Sequence, residues 1–253
     1  MDYFFIAILS FIIVFLITPT IRYFALKFYA IDKTNGRKIH KKIITKLGGL
    51  AIFMGFLGAV LYVLFFHFYF IKLNFYILLG LIISSALIVL LGVYDDFQGS
   101  GASLKFAIQI IVAFLIIKSG FILRGIYLND LITIEFGKFS IPLTIFWLVG
   151  IINAVNLLDG LDGLAAGVIG IVTSFFFIYG LLLKDTLVMY VSLAMAGGCF
   201  SFLRYNFFPA KIFMGDTGSL FLGLIVACLA MHQPPTNQHN PYFVPALILL
   251  LLP

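Results

Sequence analysis

Apolar runs of about twenty residues follow one another along the chain, parted by short polar stretches. They predict membrane spans at about 3–21, 47–70, 73–94, 105–123, 141–158, 163–183, 186–203 and 214–231, with a last one starting near 243. A hydrocarbon core of roughly 30 Å needs about 20 mostly apolar residues per helix. The first run is not a signal peptide: Asp2 precedes it, no Lys or Arg does, and the basic cluster follows it. Lys118 interrupts the fourth run near its end, where a lysine can snorkel. Between 124 and 140, Ile, Leu and Phe alternate with polar residues around Asn129-Asp130 and Gly137-Lys138, which predicts a short β-hairpin. The Pro- and Asn-rich stretch 233–241 reads as connector. From Phe243 to Pro253 the final run reaches only about 16 Å as a helix. The expected architecture is an all-α polytopic integral membrane protein with about nine transmembrane helices, the last truncated. A small extracytoplasmic β-hairpin is expected with it, in a single domain over 1–253 that is C-terminally incomplete.

Composition agrees. Of the 253 residues 63% are hydrophobic and only 10% charged, against about 45–50% and about 25% in soluble domains. This excludes a soluble globular protein, a disordered chain and a disulfide scaffold. Cys199 and Cys228 lie inside apolar runs and read as small hydrophobes.

A net charge of +6 suggests nucleic acid until its placement is considered. The spans put loops 22–46, 95–105, 159–162 and 204–216 on one side, and these carry 11 of the 16 Lys and Arg. The other side holds Lys72, Lys118, Arg124, Lys138 and Lys184. The positive-inside rule makes the first set cytoplasmic and the N-terminus external, with no role for nucleic acid.

The acids sharpen this map. Asp32, Asp95, Asp96, Asp159, Asp162 and Asp216 fall on the basic side, and all but Asp32 sit within about a turn of an apolar span. Charges buried in a bilayer cost roughly 2.5–3.5 kcal/mol each on insertion scales, so such residues face polar cavities. Two carboxylates about 4 Å apart repel by about 4 kcal/mol at an effective dielectric of 20. Convergence of these acids therefore requires a divalent metal, Lys, or both.

Three segments carry the chemistry. In NAVNLLDGLDGLAAG (153–167), Asn153, Asn156 and Asp159 recur every three residues and share a face if the helix continues. Asn and Asp make an oxygen-rich set suited to Mg²⁺ or Mn²⁺. In VYDDFQGSGASLK (93–105), the Asp95-Asp96 pair can bind a metal or accept a proton, and Lys105 can reach a phosphate. In FFPAKIFMGDTGSLFLG (207–223), a Gly-Asp-Thr-Gly-Ser turn opens a helix, a ready phosphate site. A fourth stretch, GRKIHKKIITKLGGL (36–50), is basic and is chiefly a topology signal, with attraction to anionic headgroups or substrates in addition.

Taken in chain order, the four segments resemble the polyprenyl-phosphate N-acetylhexosamine-1-phosphate transferases. The branch is the one that starts O-antigen, enterobacterial common antigen and wall teichoic acid synthesis. The strings Asn-Ala-Val-Asn-Leu-Leu-Asp-Gly-Leu-Asp-Gly-Leu and Pro-Ala-Lys-Ile-Phe-Met-Gly-Asp-Thr-Gly-Ser carry the resemblance together with the Asp pair and its Lys. The resemblance implies transfer of N-acetylhexosamine-1-phosphate, GlcNAc-1-phosphate above all, from a UDP-sugar to undecaprenyl phosphate, with release of UMP. It implies Mg²⁺ (or Mn²⁺) as cofactor, with Asp216 and Asn156 as the metal-binding pair. Lys105 would contact the donor pyrophosphate, Asp162 and Gly163 the uracil region, and Asp159 the neighbourhood of nucleotide and metal. Asp95 and Asp96 would lie where the lipid phosphate enters, one of them as base. Arg37 and His40 match a basic loop motif. The expected setting is the bacterial cytoplasmic membrane, with the site on the cytoplasmic side, and the family leaves a homodimer open.

The chain departs from the family pattern where prolines are usual, at Thr34, Ile43 and Thr45, and it ends before the family's later His-containing loop. Ile44-Thr45-Lys46-Leu47-Gly48-Gly49 stands in place of the Pro-Thr-Met-Gly-Gly string of the peptidoglycan branch, which ranks that branch lower. The rival readings are a cation-coupled transporter, whose acids should sit near the midplane, a CDP-alcohol phosphotransferase, and an inactive relative serving as scaffold.

Overall fold

The computed structural model describes residues 2–31, 44–129 and 132–232. Eight α-helices make up most of the described chain: α1 (Asp2–Lys27), α2 (Gly48–Phe66), α3 (Phe68–Gln98), α4 (Ala102–Ser119), α5 (Ser140–Leu158), α6 (Leu164–Leu183), α7 (Thr186–Asn206) and α8 (Gly215–Met231). Seven are long and apolar enough to cross a membrane, so the chain is a multi-pass membrane protein. At 17 residues, α8 spans only about 25 Å. The expected ninth span and the connector 233–241 lie outside the described residues.

Strands β1 (Gly125–Asn129) and β2 (Ile132–Glu135) pair antiparallel, with Gly125 opposite Glu135. This is the hairpin that the alternation at 124–140 predicts.

Two helix ends differ from the hydropathy pattern. The chain turns at His67, several residues before the break that the pattern places near 70–73. No Gly or Pro marks this turn, so hydropathy cannot see it. Helix α3 then runs on to Gln98, where Gly99 at φ 74 closes it and donates its N–H to Asp95 O. The Asp95-Asp96 pair therefore lies on the last helical turns, not in a loop.

Helix α8 is the centre of the bundle, buried at every position from Thr217 to Met231. A helix apolar on all sides belongs in such a place. It packs on α2, α3 and α5. Gly223 lets the α5 backbone approach, since a Cβ there would sit 2.7 Å from Ile152 Cα. The single Trp, Trp147 of α5, donates its Nε1–H to Ala227 O at 3.2 Å. Helix α7 is the second buried helix, against α1, α2 and α6. Ser10 of α1 donates to Ala194 O (2.7 Å), and Ser201 of α7 donates to Phe11 O (2.8 Å). Without water in the hydrocarbon, such contacts satisfy hydroxyls and join helices. The outer face of α1, with Phe4, Phe15 and Leu16 exposed, suits lipid.

Segment 44–49 bridges the first long loop to the site. Thr45 pairs with Ile31 on one side and Ile212 on the other. Gly48 and Gly49 then donate their N–H groups to Phe213 O and Met214 O, both at 2.9 Å. This fixes the start of α2 directly behind the start of α8.

Candidate active site

The end of α3, the start of α4, the end of α5 and the start of α8 meet at one end of the bundle. They come from three separate motifs, since the end of α3 and the start of α4 both lie in segment 93–105, and Asp95, Asp96, Asp159 and Asp216 do converge.

Asp96, on the last turns of α3 and only 7% exposed, faces the first turn of α8. Its Oδ1 accepts the Asp216 N–H at 3.1 Å. Its Oδ2 accepts the Thr217 N–H (3.1 Å) and the Thr217 hydroxyl (2.7 Å). Its neighbour Asp95 accepts from the backbone and hydroxyl of Ser100. Lys105, in the first turn of α4, places its ammonium between Asp95 Oδ2 (2.9 Å) and the carboxylate of Asp216. A lysine at a helix N-terminus opposes the helix dipole; here two carboxylates from other helices offset that.

Asn156, near the end of α5, donates Nδ2–H to Ser219 Oγ at 2.8 Å, and Ser219 donates to Gly215 O at 3.2 Å. Its amide is thereby oriented from α8. Asn153, one turn earlier, turns the other way: it donates to Gln109 Oε1 of α4 at 2.8 Å and to Val149 O at 2.7 Å. Helix α5 stops at Leu158, and Asp159 caps it with non-helical φ −78, ψ 42. The shared face of Asn153, Asn156 and Asp159 expected for a continuing helix is thus not formed. Burial pushes the Asp159 carboxyl up to about 8, helped by the charges of Asp96 and Asp216 and opposed by the Gly215 N–H and the charge of Lys46.

The turn after α5 is strapped to the loop before α8. Asp162 accepts the Ala210 N–H at 2.9 Å. Gly163, at φ 75, donates its N–H to Asn206 Oδ1 (3.1 Å), and Asn206 donates to Ile212 O (3.0 Å). Asp162 and Gly163 thus tie the turn after Asp159 to the loop that leads into α8. Arg37, His40 and Asp32 lie outside the described residues.

Sequence reading passed over five residues that the structure brings to the site: Lys46, Gln109, Asn206, Thr217 and Ser219. Lys46 was visible as part of the basic loop, and Thr217 and Ser219 as part of the Gly-Asp-Thr-Gly-Ser turn. Gln109 and Asn206 are nearly fully buried polar residues within helices; polar residues inside otherwise apolar spans were the available signal.

Among the described residues no cluster of three or more His, Cys, Asp or Glu forms a ready metal cage. The oxygen donors of Asp216 and Asn156 are nevertheless of the kind Mg²⁺ takes, together with waters and substrate phosphates. Asp95 and Asp216 flank Lys105, Asp96 meets the Asp216 backbone, and Asp159 lies near Asp96, Asp216 and Lys46.

The profile of glycosyl transferase family 4 matches residues 78–233. A probable undecaprenyl-phosphate N-acetylglucosaminyl 1-phosphate transferase of Bacillus subtilis (strain 168) is 39% identical over 228 residues, 88% of this chain and 61% of that protein. A decaprenyl-phosphate N-acetylglucosaminephosphotransferase of Mycolicibacterium smegmatis is 33% identical over 257 aligned positions, 96% of this chain and 63% of the relative. A phospho-N-acetylmuramoyl-pentapeptide-transferase of Thermoanaerobacter sp. (strain X514) is 50% identical over 99 residues, 39% of this chain and 31% of that protein. The chain thus spans under two thirds of the length of these relatives. With segments 93–105, 153–167 and 207–223 inside the matched region and their acids gathered at one end of the bundle, the chain belongs to glycosyl transferase family 4.

Proposed function

We propose that the protein transfers N-acetylglucosamine-1-phosphate from UDP-N-acetylglucosamine to a polyprenyl phosphate such as undecaprenyl phosphate, releasing UMP. The observation that carries this is the Lys105 bridge. It joins Asp95 of the Asp-Asp segment to Asp216 of the Gly-Asp-Thr-Gly-Ser segment, so that a cation and carboxylates from distant motifs share one site. The names of the Bacillus and Mycolicibacterium relatives support the lipid and the sugar.

In this reading an oxygen of the lipid phosphate attacks the β-phosphorus of the donor. The bond from that phosphorus to the bridging oxygen breaks, and the bridging oxygen leaves with UMP. The lipid product keeps both phosphates. Mg²⁺ or Mn²⁺, held by Asp216 and the Asn156 amide oxygen, would supply positive charge for the pyrophosphate. Lys105 binds the donor phosphates and stabilises the charge that develops on the leaving group. Asp159, Asp162 and Gly163 border the nucleotide, and Asp95 faces the acceptor's approach. The 11-to-5 distribution of Lys and Arg supports an external N-terminus and a cytoplasmic site in a bacterial inner membrane.

The test is incubation of the purified protein with undecaprenyl phosphate, Mg²⁺ and a panel of UDP-sugars, with UMP release measured and the lipid product weighed by mass spectrometry. A lipid heavier by GlcNAc-1-phosphate is expected. A product only with UDP-MurNAc-pentapeptide would move the protein to the branch of the Thermoanaerobacter relative. No lipid product with any donor would remove the reading.

A further inference from the structure

The two adjacent acids of the Asp-Asp segment point to different partners, and this separates their roles. Consecutive residues on a helix point about 100° apart. Asp95 turns toward Ser100 and Lys105, and Asp96 toward α8. Helix α8 has no capping side chain of its own: Met214 occupies its N-cap position in αR geometry with no side-chain hydrogen bond. The first N–H groups of a helix need acceptors from elsewhere. Asp96 supplies them across the bundle, taking the Asp216 and Thr217 N–H groups and the Thr217 hydroxyl. Its negative charge also lies at the positive end of α8.

The backbone is shaped for this contact. Gly215 has φ 71, and a Cβ there would come within 2.6 Å of Asp96 Oδ1 and nearer still to Oδ2. Gly92, one turn before Asp96 on α3, lets the α8 backbone in: a Cβ there would lie 2.5 Å from Thr217 N. Three of the roughly four lone-pair positions of a carboxylate are occupied on Asp96, inside a nearly closed contact. A group so used has little left to offer an acceptor phosphate.

We infer that Asp96 is a positioning residue: with Thr217 it caps α8 from α3 and so holds Asp216 in place, and it is not the base of the reaction. This rests on the proposed transferase reading only for what Asp216 is positioned to do. Asp95 and Lys105 form the separate arm that meets the phosphates.

The test uses Thr217→Val, Thr217→Ser and Asp96→Asn in the intact protein, with Mn²⁺ affinity read by electron paramagnetic resonance and the melting midpoint read in detergent. Asp96→Asn puts an NH₂ group against helix N–H donors. It is expected to lower the midpoint and weaken Mn²⁺ binding at least tenfold. Thr217→Val should move both readouts the same way, Mn²⁺ affinity by several-fold, and Thr217→Ser should restore them. Should Asp96→Asn fail to fold, the two Thr217 variants decide alone. The inference is overturned if Asp96→Asn binds Mn²⁺ like wild type and melts normally while losing turnover, as a base would. It is also overturned if Thr217→Val is neutral, or if the wild-type protein takes up no Mn²⁺. Failure of UMP release with every donor would remove the transferase reading and leave the melting and Mn²⁺ comparisons to stand or fall separately.

Discussion

Replacing Gly49 by alanine puts one methyl group where the backbones of α2 and α8 meet. The added Cβ would lie 2.6 Å from the Thr217 carbonyl carbon and closer still to Gly218 N and Cα. All three are backbone atoms and cannot rotate away. Ordinary carbon contact is about 3.5–4.0 Å, so the first turn of α8 must move by about 1 Å or more. Overpacking of this kind costs about 1–3 kcal/mol. The larger effect is geometric, because the displaced turn carries Asp216 and Thr217. A misplacement of about 1 Å at a reacting centre costs on the order of 10²-fold in rate. Gly49→Ala should therefore lower the melting midpoint moderately and kcat by about two orders of magnitude, measured as UMP release in nanodiscs. Gly167→Ala on α6 is the matched control: no atom lies within 4 Å of its Cβ, so only the higher helix propensity of alanine remains. Near-normal kcat in Gly49→Ala would refute the claim that the α2–α8 contact sets the position of Asp216.

Other expectations follow from the same contacts. Lys105→Met removes the cation between Asp95 and Asp216 and should reduce kcat/KM by on the order of 10²-fold; a value within threefold of wild type would contradict its placement on the donor phosphates. At the far end of the bundle, Asp185 accepts from the Leu187 and Val188 N–H groups and lies 3.1 Å from His232 Nε2. Burial opposes its ionisation, but His232 and those N–H groups outweigh this and hold its carboxyl below the ordinary value of 3.8. Because its folded pKa is depressed, Asp185 stabilises the fold above about pH 4, and that contribution is lost as pH falls through the folded value. Asp185→Ala should cost about 1 kcal/mol from the lost cap at pH 6, and the gap in melting midpoint should shrink below about pH 4 while turnover at pH 7 is unchanged. For orientation, Gly101→Cys should resist an impermeant maleimide in intact cells and Lys138→Cys should react; the reverse pattern would invert the topology.

Hydropathy made most of the fold legible, because the bilayer imposes length and polarity on each span. It could not tell α8 from the lipid-facing helices. Its sequence is as apolar as theirs, and only packing against α2, α3 and α5 shows that it is central. The glycines were a partial clue. Gly49, Gly92, Gly215, Gly218 and Gly223 mark where α8 is approached closely, but in the sequence they look like any other glycines of a membrane helix. The break at His67 was hidden for the opposite reason: nothing in its local chemistry announces a turn.

The site was legible as a set of residue types, less so as a set of partners. Spacing put Asn153, Asn156 and Asp159 on one face, which assumes that the helix alone decides direction. Instead Gln109 draws Asn153 toward α4, Ser219 draws Asn156 toward α8, and the end of α5 releases Asp159 into the turn. Each partner comes from a segment at least 44 residues away in the chain, beyond any local pattern. The Asp95-Asp96 pair shows the same limit. Read as a string, two adjacent carboxylates look like two copies of one chemical function, a metal ligand or a base. On a helix they diverge by about 100°, and an adjacent pair is therefore what is needed to grip two different elements at once: Asp95 holds Lys105 of α4, and Asp96 holds the start of α8. The pair then acts as a fork between α4 and α8, beside the direct contact of Lys105 with Asp216. A single Asp at either position could grip only one of the two helices.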